Sequence, residues 1–161
     1  MMATAVAVAF VVYSCKGKLA EAETISLADA PVQVVDDMFI IQSKNGDMQM
    51  RAQAPRMEKY EKDSLTYELF PEGIFVYGYT EDGLLETEIV ADNAKHQKHE
   101  NGEETWEAFG NVVVKNLIKQ EVMETDTLYW DQQNEKIYTH CYVRMYSPDG
   151  FMQGYGMESD Q

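Results

Sequence analysis

From Val32 onward the apolar side chains mostly recur at every second position in short runs, which is the period of a β-strand with one buried face. The clearest run sets Ile137, Thr139, Cys141, Val143 and Met145 on one side against Tyr138, His140, Tyr142, Arg144 and Tyr146 on the other. One face is aliphatic and the other aromatic and polar. Similar runs cover Leu65 to Phe70, Ile74 to Tyr79, Thr87 to Ala94, Thr105 to Lys115, Val122 to Trp130 and Phe151 to Met157. They are punctuated by Asn45-Gly46, Asp82-Gly83, Asn101-Gly102 and Asp149-Gly150, dipeptides that take the positive φ of tight hairpin turns. An amphipathic helix needs i, i+3, i+4 stripes of roughly ten residues, and the chain offers only a weak one near Arg56 to Lys62. The pattern predicts an all-β domain of antiparallel hairpins.

A faint internal repeat supports this. Ala52-Gln53-Ala54 precedes Gly73-Ile74-Phe75-Val76, Ala91-Asp92-Asn93-Ala94 precedes Asn111-Val112-Val113-Val114, and Thr125-Asp126-Thr127-Leu128 precedes Tyr142-Val143-Arg144-Met145. The spacing is about 39 and then about 34 residues, a strand-turn-strand length. Each unit would add a hairpin to a growing sheet.

The chain opens differently. Ala3 to Val12 is continuously small and apolar, and Tyr13-Ser14-Cys15 then leads into Lys16-Gly17-Lys18, the layout of a signal-peptide core and its cleavage region. That run is roughly ten to twelve residues long against the ~20 a bilayer span needs, so it is expected to be removed rather than to cross. Val12-Tyr13-Ser14-Cys15 resembles a bacterial lipobox, with Tyr13 as a departure. We expect residues 1–15 to be a leader ending at a lipidated Cys15, residues 16–31 to be a flexible tether rich in Ala, Glu, Ser and Asp, and residues 32–161 to fold.

Charge narrows the partners. The 161 residues carry 28 acidic and 13 basic side chains, a formal charge of −15, and cannot offer the positive field that nucleic acid requires. An anionic ligand must then be held by apolar burial. Cys15 and Cys141 lie in unlike settings and are not expected to pair, and His96, His99 and His140 lack metal-ligand spacing, so no metal or cofactor is expected.

The order of these elements, an Ala-Asp or Thr-Asp strand, a polar turn and a strand around Gly-Asn-Val-Val-Val, resembles the periplasmic lipopolysaccharide-transport domain shared by the LptA and LptC proteins. The wording is closer to LptC of the Bacteroides type: Asn45-Gly46 before Met50-Arg51, the Phe70-Pro71-Glu72-Gly73-Ile74 turn, Gly110-Asn111-Val112, Leu128-Tyr129-Trp130-Asp131, and Gly154-Tyr155-Gly156-Met157-Glu158-Ser159. Together these span most of residues 32–161. The resemblance implies an antiparallel β-jellyroll of the OstA-like kind, two facing sheets left partly open around lipid A acyl chains. It implies a relay in which lipopolysaccharide leaves an LptB/LptF/LptG-type ABC transporter of the inner membrane, enters this protein, and passes to an LptA-like jellyroll. It places the protein in the periplasm at the inner membrane, where a lipid on Cys15, expected from the lipobox, would anchor it. Proteobacterial members use an uncleaved transmembrane helix, so the lipobox departs from them. A further strand is expected beyond the last residue. Strand addition is the expected partner mode, with Val32 to Gln42 facing the transporter and Phe151 to Glu158 facing LptA.

A carrier of this kind needs no reaction chemistry, only a continuous apolar slot. By alternation the inward, lipid-contacting positions are Ile74, Val76, Val112, Val114, Leu128, Trp130, Ile137, Val143, Met145, Phe151 and Tyr155. Any one of them could equally be ordinary core. The methionines, 10 in all, suit an adaptable apolar surface. His96 and His99 read as hairpin decoration, with Lys95 and Lys98 able to reach a lipid phosphate at a groove mouth. Two other readings compete: a sandwich-fold carbohydrate-active hydrolase, which needs two convergent carboxylates, and a structural envelope lipoprotein with a closed core.

Overall fold

The computed structural model describes residues 30–62, 65–131, 133–134 and 136–160. The leader, Cys15 and most of the tether therefore lie outside the described residues. Ten strands follow in order: β1 (Gln33–Lys44), β2 (Asp47–Lys62), β3 (Leu65–Phe70), β4 (Ile74–Tyr79), β5 (Leu85–Ala91), β6 (Asn93–His99), β7 (Glu104–Asn116), β8 (Glu121–Asp131), β9 (Lys136–Ser147) and β10 (Gly150–Asp160). All pairings are antiparallel and all ten strands belong to one sheet. The expected all-β jellyroll is what forms, its two facing layers being halves of a single folded sheet.

The fold line is legible in the register. β3 and β4 together run the length of β2, β3 along 58–62 and β4 along 50–53, so they are one pass of chain with a corner at Pro71-Glu72-Gly73. β5 and β6 likewise form one pass, cornered at Asp92 between Ala91 and Asn93. The longer strands turn at matching points. The ladder between β7 and β8 shifts between Phe109 and Val112, that between β8 and β9 between Thr125 and Tyr129, and that between β9 and β10 between Tyr155 and Met157. Asp37 (φ 51), Asn111 (φ 48), Gly110 (φ 78) and Gly156 (φ 75) supply positive φ along this line. Such angles re-aim a strand where an extended residue would carry it straight on.

At Gly110 the requirement is tightest. An added Cβ would stand 3.0 Å from the Asp92 Cβ and 3.1 Å from its Oδ2. The neighbouring passes are tied there as well: the Asp92 N–H donates to the Gly110 carbonyl over 2.9 Å, and Asn111 Nδ2 donates to Asp92 Oδ2 over 2.7 Å.

The corners define a spine, and the sheet falls away from it as two limbs. Limb A contains 33–36, 56–62, β3, β6, 104–109, 127–131, 136–138 and 157–160. Limb B contains 38–44, 47–54, β4, β5, 112–116, 121–125, 143–147 and 150–155. A single core cluster takes side chains from both limbs, so the limbs face each other. Its members hug the spine: Met38 and Ala54, Met57 and Phe70, Ile74 and Ala91, Ala94, Val112, Leu128 and Val143 all lie within a few residues of a corner. Burial thins toward the hairpin tips, where Leu84, Leu117 and Ile118 are exposed.

Candidate functional site

Between the limbs runs a cavity of about 230 Å³. Limb B contributes Met50, Ala52, Ile74, Val76 and Ile89 to its wall, and limb A contributes Ala94, His96, Trp106, Ala108, Leu128 and Trp130. The wall follows from alternation: Trp106 and Ala108 on β7, and Ile74 and Val76 on β4, are pairs two apart that share a face. Trp106 anchors limb A, its ring stacked on Phe70 at 5.9 Å and on His96 at 4.3 Å with 11° between planes. The slot is thus lined mostly by apolar and aromatic side chains, with Gln42, Glu104 and Glu107 also on its wall.

The predicted positions separate by distance from the spine. Ile74, Val112, Leu128 and Val143, next to corners, are buried, Val112 completely at 0% exposure. Val76, Val114, Trp130, Ile137 and Met145, further out, are half-buried. Ile74, Val76, Leu128 and Trp130 line the slot. Val114, Ile137 and Met145 pack against the core cluster beyond it.

Phe151 and Tyr155 are not inward. They pair with Tyr146 and Tyr142, on the outer face of β9, and Tyr155 is 83% exposed. Gly156 is the reason: its positive φ turns β10 over, so that Met157 stands opposite inward Thr139 while Tyr155, two residues away, stands opposite outward Tyr142. On that outer face the rings pair across strands, Tyr142 with Tyr155 and Tyr146 with Phe151, each at 5.0 Å. Cys141 is half-buried and free, with its N–H donating to Thr139 Oγ1 over 3.0 Å.

Sequence reasoning missed His96, which it left at the hairpin and which sits in the slot wall. Nδ1 lies 3.2 Å from Glu68 Oε2, and Nε2 lies 3.5 Å from Glu104 Oε2. Lys98 bonds the other Glu104 oxygen, and that hydrogen bond, helped by His96, holds the Glu104 carboxyl below the usual carboxylate range against the opposing effect of burial. The signal was present in the sequence as parity: Ala94, His96 and Lys98 alternate with Lys95 and Gln97, but only one of the three is apolar. Among the described residues, no group of three His, Cys, Asp or Glu side chains is placed to hold a metal ion.

The fold and the slot define a class, a folded β-jellyroll with an apolar channel between its limbs and an unextended strand at each end of the sheet. The model of one family, lipopolysaccharide-assembly, LptC-related, matches residues 1–161, the whole chain, and the chain belongs to that family. Membership makes it a component of lipopolysaccharide transport, periplasmic and associated with the inner membrane. No curated protein matches the chain.

Proposed function

We propose that the slot carries an acyl chain of lipopolysaccharide on its way from an LptB/LptF/LptG-type transporter to an LptA-like jellyroll. The observation that carries this reading is the apolar cavity between two limbs of one sheet. Pockets that enclose a whole small ligand run to about 300–1,000 Å³, so this slot holds a segment of one chain while the rest of the lipid lies outside. Roughly half a dozen methylenes of that segment leaving water at ~0.8 kcal/mol each give about 5 kcal/mol, which outweighs screened repulsion between the lipid phosphates and an acidic surface.

The free edges suit the handover. β1 and β10 each pair with one neighbour only, and both carry exposed apolar side chains, Phe39 and Ile41 on β1 and Phe151 and Tyr155 on β10. In this reading β1 extends the sheet toward the transporter and β10 toward the LptA-like partner by strand addition. A lipid on Cys15 would hold the domain at the inner membrane. The slot supports transport over a closed-core scaffold.

A photoreactive residue at Val76 is expected to crosslink to lipopolysaccharide in cells, and one at Tyr155 is not. Equal adducts at both positions, or none at Val76, would refute the slot as the lipid path.

A further inference from the structure

β10 carries a glycine where the strand itself does not need one. Gly154 stands opposite Val143 on the inner face of limb B, its φ lies outside the left-handed region, and an added Cβ would meet no atom within 4 Å. It serves neither a turn nor a tight contact within the chain. The remaining uses of a glycine inside a strand are a bulge, which Gly156 supplies two residues on, and room for something that approaches the backbone. Beside Gly154 that room is a cavity of about 110 Å³, walled by Val143, Met145, Met152 and Met157.

The cavity ends an unbroken apolar row. Inward positions of limb B pair in register from strand to strand, Val76 with Ile89, Ile89 with Val114, Val114 with Met123, Met123 with Met145 and Met145 with Met152. Val76 and Ile89 line the slot, and Met145 and Met152 line the cavity, so one row joins the two. The matching row of limb A ends otherwise, with Trp106, Trp130 and Ile137 leading to Ser159. A long apolar chain suits the limb B row, and unbranched methionines repack around it. A partner strand added at the free edge of β10 would lie beside Met152, whereas the cavity lies behind it on the inner face, against Val143. We propose that this cavity is a second acyl site, holding a tail at the β10 end of the sheet, and that Gly154 keeps room for it. This rests on the slot being an acyl-chain site, as proposed above, and adds where a further tail lies.

The test is photolysis of palmitic acid bearing a mid-chain diazirine with the full chain, adducts being mapped by peptide mass spectrometry. Adducts are expected on the slot residues of β4 and β7 and on Met145, Met152 or Met157, and not on Tyr155, on the outer face of β10. Gly154→Leu fills the cavity; labelling of the methionines should fall at least about tenfold, the affinity carried by two buried methylenes, with slot labelling unchanged. Gly154→Ala, being smaller, should keep most of the labelling, and neither variant should unfold earlier than the parent. Slot adducts with none on the three methionines, the result if the cavity instead receives a partner's side chain, overturn the second site and leave the slot standing. So do methionine adducts that survive Gly154→Leu, or equal labelling of Tyr155. Earlier unfolding of either variant would reveal a glycine the strand requires for itself and overturns the site as well. A slot that takes no adduct overturns both readings together.

Discussion

The spine and the limbs are made from the same alternating strands, yet they do different physical work. Along the spine every pass turns a corner, two faces of the sheet meet at close range, and Phe70, Val112 and Thr139 are all but sealed from solvent. A few residues out, the same parity leaves Val76, Trp106 and Trp130 half-buried around open volume. Stability concentrates where the sheet folds, and capacity to accept a ligand grows with distance from the fold. A jellyroll with no corners would have neither a closed core nor a slot.

Substitutions should separate the two regions, most strongly at the spine. Phe70 is 1% exposed and stacks on Trp106, so Phe70→Ala is expected to cost about 3–5 kcal/mol in urea unfolding, the range for deleting a buried ring. Gly110→Ala comes next. Its methyl would meet Asp92 at 3.0 Å, and its φ of +78 is one an alanine adopts only under strain, for an expected loss of about 1–3 kcal/mol. A spine that tolerated both changes would show that corners are not where the fold is held.

On the limbs the expectation inverts. Val76 lines the slot and also packs against the core cluster, so Val76→Trp places part of its bulk in open volume and should cost no more than about 1–3 kcal/mol of unfolding free energy, less than Phe70→Ala. Binding of a fluorescent fatty acid, by contrast, should fall at least about tenfold as the added ring takes the ligand's volume. Calorimetry and fluorescence titration on the same sample read both quantities. A variant that unfolds early but still binds would mean the cavity is core after all.

How much of this was legible in the sequence follows the same division. β3 and β4 could be read to the residue, because Leu65 to Phe70 and Ile74 to Tyr79 alternate cleanly between turns. The corners could not. Thr87 to Ala94 looked like one strand, and Asp92 divides it into β5 and β6. The weak helical stripe at Arg56 to Lys62 is the far half of β2: Met57 faces the core, while Tyr60, three residues on, stacks on Tyr67 at 4.9 Å on the other face. Parity counted straight through Gly156 sent Phe151 and Tyr155 inward, and one positive φ reversed them. β6 beyond Ala94 was lost because its inward side chains turn polar, which is also why His96 went unseen as part of the slot. Hydrophobic alternation reports faces well within a pass, and it carries no information about where the chain turns over.

Acid should sharpen the comparison by a smaller amount, and on one limb only. The carboxyls held low among the described residues, Glu58, Glu104 and Asp131, all belong to limb A. Glu58 is lowered first by the Arg56 hydrogen bond, 2.7 Å, and then by that from Tyr60, 2.8 Å; Asp131 by hydrogen bonds from Asn134. A carboxyl whose folded pKa lies below its unfolded value, about 4.3 for Glu, stabilises the fold fully above that value. The contribution drains away as pH falls through the lower folded pKa. These groups are largely solvent-screened, so the loss is modest and further reduced by salt. Protection against amide hydrogen exchange, taken as each rate relative to its intrinsic rate at the same pH, should therefore fall from pH 6 to pH 3 in β3 and β6 before β4 and β5. Glu58→Gln should flatten part of that difference at pH 6, since it removes the ion pair with Arg56 in advance. A uniform loss of protection in both limbs would place the acid-sensitive contacts at the spine instead, where the passes share their hydrogen bonds.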